Sequence, residues 1–124
     1  MKVLLIDDTR TLLSLIQVYL MGWSIEFLEA KDGVDGLAQA RQHKPDLVIS
    51  DVRMPRMDGF ELCAAIRSDS HLHQTPVILL TSLNDDASRR KGRLVGATAF
   101  LTKPVSVDEL RKAVGTLLKL PVRR

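Results

Sequence analysis

Five short apolar segments alternate along this chain with segments that have the apolar spacing of an α-helix. The apolar segments are rich in Val, Ile and Leu and are bounded by Pro, Gly, Asp or Lys, which is typical of buried strands. Strands that alternate with helices in this way predict a parallel sheet covered by helices on both faces. We therefore expect an α/β fold with strands at residues 2–7, 24–30, 47–49, 76–81 and 98–102.

Polar side chains stand at or just beyond the ends of four of these strands. Right-handed crossovers favour a doubly wound, flavodoxin-like sheet with the strand order 2-1-3-4-5 and five helices. In such sheets ligands bind in the crevice outside the carboxyl ends of the strands. We expect five side chains to converge at this edge: Asp7, Asp8, Asp51, Thr81 and Lys103.

The helices are predicted from apolar spacing and from capping residues. In the second helix, Val34, Leu37 and Ala38 share one face, which we expect to be buried. The fourth helix, at about residues 86–95, has an interior glycine that costs about 1 kcal/mol relative to alanine, so we expect it to be the least stable. A capping box at residues 106–109 opens the last helix. The residues that we expect this helix to bury are Val107, Leu110, Val114, Leu117 and Leu118.

Three carboxylates in one crevice repel one another, and a divalent cation relieves that repulsion. Mg²⁺ prefers oxygen ligands, commonly one or two carboxylates, several waters and a phosphate oxygen. Asp7 or Asp8, together with Asp51 and a backbone carbonyl just beyond it, supplies a partial shell of this kind. A carboxylate can also act as the nucleophile toward a phosphoryl group. Lys103 and Thr81 stand at strand ends from which they could stabilise charge on the transferred oxygens.

The motifs resemble those of the receiver domain of two-component response regulators, the CheY-like proteins. The chain has an acidic pair at residues 7–8 and the run D-x-x-M-P-x-M-D-G at residues 51–59. It also has Thr-Ser at residues 81–82, after an apolar strand, and F-x-x-K-P at residues 100–104. In this order and spacing the set is highly specific, and the resemblance covers essentially the whole chain.

The resemblance implies a role for each residue of these motifs. Asp51 would be the phosphoacceptor, and Lys103 would pair with the phosphoryl oxygens. Thr81 and Phe100 would form the switch pair, and the peptide bond before Pro104 would be cis. The Mg²⁺ ligands would be Asp7, Asp8, Asp51 and the backbone carbonyl of Arg53.

The resemblance also implies a function. The domain would be a phosphorylation-operated signalling switch that receives its phosphoryl group from a histidine kinase or a histidine phosphotransfer protein. It would not be an enzyme, since it would assist only its own phosphorylation and dephosphorylation. Two alternatives are a receiver-fold interaction module that does not depend on phosphate, and a receiver cut from a longer response regulator. A phosphatase acting on metabolites is not favoured, because Arg53 stands where a second acid would serve as general acid–base.

Charge is distributed unevenly along the chain. Residues 1–88 contain 8 Lys and Arg against 13 Asp and Glu, a net charge of −5, whereas residues 89–124 contain 10 against 2, a net charge of +8. We expect a basic face that contacts an acidic protein surface or a second copy of the domain. Direct nucleic-acid binding is not favoured, because no aromatic side chain is interleaved with these charges. The cations of the predicted face are Arg89, Arg90, Lys91, Arg93, Arg111 and Lys112.

Length and composition indicate one domain, at residues 1–120, followed by a C-terminal tail at residues 121–124. Cys63 is the only cysteine, which excludes an intramolecular disulfide and fits a reducing compartment. The apolar run at residues 3–6 is too short for a signal peptide, and no segment approaches membrane-spanning length. We therefore expect a cytoplasmic location without membrane contact.

Overall fold

The computed structural model describes residues 1–82 and 85–120, so the predicted tail at residues 121–124 lies outside the described residues. The chain forms a five-stranded parallel sheet in the order β2-β1-β3-β4-β5, which confirms the predicted fold. The strands are β1 (Lys2–Ile6), β2 (Glu26–Ala30), β3 (Leu47–Asp51), β4 (Val77–Thr81) and β5 (Ala99–Thr102).

One helix follows each strand: α1 (Arg10–Tyr19), α2 (Gly33–His43), α3 (Gly59–Ser68), α4 (Asp86–Leu94) and α5 (Val107–Leu118). Successive side chains of a strand point to opposite faces of the sheet. In β1, Leu4 and Ile6 therefore join the core with α2 and α3, while Val3 and Leu5 join the core with α1 and α5. Because both faces are covered, β3 and β4 are buried at every position.

The strand register aligns the carboxyl ends of β1, β3 and β4. Ile6 pairs with Ser50, so Asp7 continues from β1 beside the last residue of β3, which is Asp51. Asp51 in turn pairs with Leu80, the residue before Thr81. The predicted convergence of these side chains thus follows from the parallel arrangement.

Some predictions about the helix faces are wrong. Leu37 is buried as predicted, but Val34 and Ala38 are exposed, because α2 packs on β1 through a face that includes Gly36 and Ala40. Gly36 lies directly against the Ile6 side chain, which brings the helix close to the strand. Val107 is 40% exposed because it is the first residue of α5, whereas Leu110, Val114 and Leu118 are buried as predicted.

Among the described residues, no helix is both long enough and apolar enough to span a lipid bilayer.

Candidate functional site

Three carboxylates meet at the carboxyl edge of the sheet. Asp7 and Asp51 are buried, with 3% and 8% of their surface exposed, and Asp8 is exposed. One carboxylate oxygen from each residue lies within 4.8 Å of the others. Backbone donors orient the two buried groups, since the Thr9 N–H donates to Asp7 Oδ1 at 2.7 Å and the Val52 N–H donates to Asp51 Oδ1 at 2.9 Å.

Lys103 brings a positive charge to this cluster from the end of β5. Its Nζ lies 3.0 Å from Asp51 Oδ1 and 3.7 Å from Asp7 Oδ2. Its backbone N–H donates to the Thr81 carbonyl at 2.8 Å, which ties it to the end of β4. The peptide bond from Lys103 to Pro104 is cis.

The negative charge of Asp7 is electrostatically unfavourable at its buried position. Burial raises the pKa of its carboxyl group, the Thr9 N–H opposes this change, and the negative charge of Asp51 adds to it. Asp7 Oδ2 is buried and accepts no hydrogen bond from the described residues. A buried acceptor without a donor is costly, and a cation at that oxygen would remove the cost.

The residues present fit a magnesium ion. Asp7, Asp8 and Asp51 offer only oxygen ligands, which Mg²⁺ prefers. The unsatisfied oxygen of Asp7 belongs to the same cluster, so a bound cation would satisfy it and also reduce the repulsion among the three carboxylates.

An open cavity of about 520 Å³ borders this acidic cluster. Asp8 and Arg53 line it on the side of the carboxylates, and Lys91 of α4 lines it from across the loop that follows β3. Phe60 contributes a buried aromatic ring to the wall. The cavity therefore gives a ligand access to the acidic edge of the sheet at Asp8.

Phe100 lies under α4, on the strand next to the one that ends in Thr81. It pairs with Leu79, is half-buried, and has the Arg89 guanidinium 5.7 Å from its ring centre. Gly92 is the only buried residue described in α4, and a Cβ there would come within 2.8 Å of the Phe100 ring. The absence of a side chain at Gly92 allows the helix to approach the ring closely.

Two of the six cations predicted for one basic face lie apart from the others. A helix turns by about 100° per residue, so Arg89 and Lys91 point to nearly opposite sides of α4. Lys91 Nζ lies 5.0 Å from the ring centre of Phe60, on the side of the cavity. The Arg111 guanidinium lies 4.2 Å from the Trp23 ring, and Nη1 donates to the Tyr19 carbonyl at 3.0 Å. The prediction of a single face is therefore wrong for Lys91 and Arg111.

Sequence analysis missed an ion pair that fixes the loop after β3. Arg56 has a φ of 70°, in the left-handed region that is costly for a residue with a long side chain. Its Nη2 and Nε donate to Asp32 Oδ2 at 2.6 and 3.2 Å, while Asp32 Oδ1 accepts from the Asp35 N–H at the start of α2. Beside this pair, Met57 packs directly on Gly33. Nothing in the local sequence pattern identifies Arg56 as the partner of a residue in another turn.

We expect Arg56→Met to lower the thermal midpoint modestly near neutral pH, because the Arg56 side chain is 62% exposed and solvent screens the pair. The Asp35 N–H and then Arg56 hold the pKa of Asp32 below its ordinary value of 3.8. A lowered pKa stabilises the fold above the ordinary value, and this contribution is lost as the pH falls through the folded-state pKa. The thermal midpoints of the wild type and of Arg56→Met should therefore converge as the pH is lowered through the acid range. A difference in midpoint that does not change with pH would contradict the assignment of this ion pair.

The sequence matches the family described as "Response regulator receiver domain" over residues 3–115. The chain therefore belongs to the receiver domains of response regulators, which act in two-component signalling together with histidine kinases.

Relatives and solved structures agree with this membership. Protein PilG of Pseudomonas aeruginosa is 38% identical over 114 residues, which cover 92% of this chain and 84% of PilG. The DNA-binding dual master transcriptional regulator RpaA of Synechocystis sp. is 35% identical over 95% of this chain, which spans only 49% of RpaA. The structure of chemotaxis response regulator CheY4 of Vibrio cholerae is 35% identical with a TM-score of 0.86, covering 94% of this chain and 97% of CheY4. The Francisella response regulator 1452 receiver domain is 32% identical with a TM-score of 0.86, covering 95% of this chain and 96% of that domain.

Proposed function

We propose that residues 1–120 form a cytoplasmic phosphorylation-operated switch in which Asp51 accepts the phosphoryl group of a phosphohistidine donor. The observation that carries this proposal is the cluster at Asp51, whose carboxylate lies 3.0 Å from Lys103 Nζ and close to the carboxylates of Asp7 and Asp8. Arg53 stands at the position where a second acid would be needed to activate water for the hydrolysis of a metabolite. The arrangement thus suits transfer of a phosphoryl group to the protein itself.

The transfer forms a bond between an Asp51 carboxylate oxygen and phosphorus while the bond between phosphorus and the donor imidazole nitrogen breaks. The electron pair of the broken bond stays on that nitrogen, and because the other ring nitrogen carries a proton, neutral imidazole leaves. Backbone and side-chain contacts hold Asp51 at the end of β3 for this attack. Its Oδ1 already accepts from the Val52 N–H, which leaves Oδ2 as the oxygen with more freedom to react.

Mg²⁺ would be bound by Asp7, Asp8, Asp51 and the backbone carbonyl of Arg53. When bound, it would neutralise charge on the transferring phosphoryl group and on the carboxylates around it. Lys103 would balance the remaining negative charge, since its ammonium group already lies between Asp51 and Asp7. The Thr81 hydroxyl, at the end of the neighbouring strand, would donate to a phosphoryl oxygen.

Movement of Thr81 toward the phosphoryl group would free space for the Phe100 ring, and this repacking would shift α4. The helix is suited to such movement because its buried contact is Gly92 on the Phe100 ring. We place the output surface around α4, β5 and α5, with Arg89, Arg90, Arg93 and Lys112 contacting an acidic protein or a second copy of the domain.

Self-association through this surface is testable without a known target. Sedimentation with Mg²⁺ and beryllofluoride, a phosphoryl analogue, should show a dimer that weakens in the double variant Arg89→Glu, Arg90→Glu and in high salt. A dimer unaffected by the charge reversal would place the contact elsewhere, and a monomer in both proteins would favour the acidic protein as partner.

The proposed function is tested by labelling with acetyl phosphate. Wild-type protein should gain one phosphoryl group in the presence of Mg²⁺ and none when EDTA removes the metal. Asp51→Asn should not be labelled, since the amide lacks the nucleophilic carboxylate oxygen while keeping a similar shape. Equal labelling of the two proteins would rule out Asp51 as the acceptor. No labelling of the wild type would favour a receiver that binds partners without phosphate.

A further inference from the structure

We infer that Lys91 is a specificity-determining residue that favours phosphoryl donors of higher negative charge. This inference rests on the proposed function, because it concerns the approach of a donor to Asp51. It separates Lys91 from the other cations of α4, which are assigned to the output surface.

The placement of Lys91 supports this role. Its side chain lines the cavity of about 520 Å³ that Asp8 and Arg53 also line, so it borders the open space beside Asp8, the exposed member of the acidic cluster. Its ammonium group lies 5.0 Å from the ring centre of Phe60, and that ring is itself buried. An ammonium group over an aromatic face is attracted by the ring, which localises an otherwise mobile lysine at this wall.

The charges around the cavity explain why such a residue is needed. Asp8 and Asp58 line the cavity, and Asp8 belongs to the cluster of three carboxylates. The local field therefore repels an anionic donor. Lys103 is already 3.0 Å from Asp51 and is directed at the acceptor. On the cavity wall the cations are Arg53 and Lys91.

Lys91 is distinguished from Arg53 by its position. Arg53 lies two residues beyond Asp51 on the same loop, whereas Lys91 reaches the cavity from α4. A cation on the opposite wall attracts the donor as a whole and need not contact the transferred group. Such an effect acts on the rate of productive encounter and grows with the charge of the donor.

Two small donors of different charge test the inference. Acetyl phosphate carries two negative charges near neutral pH, and phosphoramidate carries one net negative charge because its nitrogen is protonated. The quantity to measure is the ratio of the second-order labelling rate constants of the two donors, at saturating Mg²⁺ and low salt. The variants are Lys91→Met, which removes the charge but keeps the apolar stem on Phe60, and Lys91→Arg, which keeps the charge.

We expect Lys91→Met to lower the acetyl phosphate to phosphoramidate ratio about threefold, the effect of two unit charges roughly 6 Å apart in water. Lys91→Arg should retain the wild-type ratio, and the loss in Lys91→Met should disappear in about 1 M salt. Lys2→Met removes the same charge at the opposite end of the sheet and should leave the ratio unchanged. Mg²⁺ should still bind all four proteins, which shows that the site is intact. It should bind Lys91→Met somewhat more tightly, because a positive charge near the carboxylates is lost.

An unchanged ratio in Lys91→Met would overturn the inference, as would an equal decrease in Lys2→Met. In either case, labelling of the wild type at Asp51 would leave the proposed function standing. Failure of both donors to label wild-type Asp51 would instead reject the proposed function, and the inference with it.

Discussion

Gly59→Ala is expected to destabilise the domain by roughly 3 kcal/mol and to disrupt the acidic site at the same time. A Cβ at Gly59 would lie 2.5 Å from the Asp51 carbonyl oxygen and 2.9 Å from the Val52 Cα. Both atoms belong to the backbone, which cannot move away as a flexible side chain can. The strand end that carries Asp51 would therefore have to shift, and Mg²⁺ binding should weaken together with stability.

The matched control is Gly115→Ala in α5. A Cβ there would meet the Trp23 ring at 3.4 Å, an ordinary contact, and alanine favours a helix interior by about 1 kcal/mol over glycine. Chemical denaturation should show Gly115→Ala to be as stable as the wild type or more so. A Gly59→Ala protein of wild-type stability would show that the close approach of α3 to β3 is not required.

Asp8→Asn and Asp7→Asn are each expected to weaken Mg²⁺ binding at least about tenfold. Mutation of residues that only support metal ligands already lowers metal affinity by about 10- to 100-fold. Asp8 is exposed, so its replacement should leave the metal-free protein nearly as stable as the wild type. Asp7→Asn should raise the stability of the metal-free protein, since it removes a charge that burial and Asp51 disfavour. Both variants should therefore bind Mg²⁺ more weakly, but only Asp7→Asn should be more stable than the wild type without Mg²⁺.

Thermal unfolding over a range of Mg²⁺ concentrations measures both effects. The wild-type midpoint should rise with Mg²⁺, because a ligand that binds only the folded state stabilises it. The midpoints of the two variants should rise only at much higher Mg²⁺ concentrations. Protein that was treated with EDTA and is free of Ca²⁺ gives the baseline. A wild-type response to Mg²⁺ in both variants would contradict the assignment of the ligands.

The sheet and its acidic edge were predictable because their determinants are local. Each buried strand is a short apolar run, and a parallel arrangement places every strand end at the same edge. For that reason the sequence alone predicts that Asp7, Asp51 and Thr81 lie close together. The helix cap at the start of α5 was also recognisable, since Ser106 accepts from the Glu109 N–H in the structure.

The arrangement of long charged side chains was not predictable in the same way. Lys91 turns toward Phe60 and Arg111 toward Trp23, and each aromatic ring belongs to a distant part of the chain. The helical period alone, however, would have shown that Arg89 and Lys91 cannot share a face. The contact between Arg56 and Asp32 depends on how two turns meet, and a sequence pattern contains no such information.

The most direct test of the central claim is to locate the modified residue after Mg²⁺-dependent phosphorylation. Borohydride reduces an aspartyl phosphate to homoserine, which peptide mass spectrometry identifies by position. Our account predicts homoserine at residue 51 in wild-type protein that was treated with acetyl phosphate and Mg²⁺, and none when EDTA is present. Homoserine at another acidic residue, or none under labelling conditions, would contradict it.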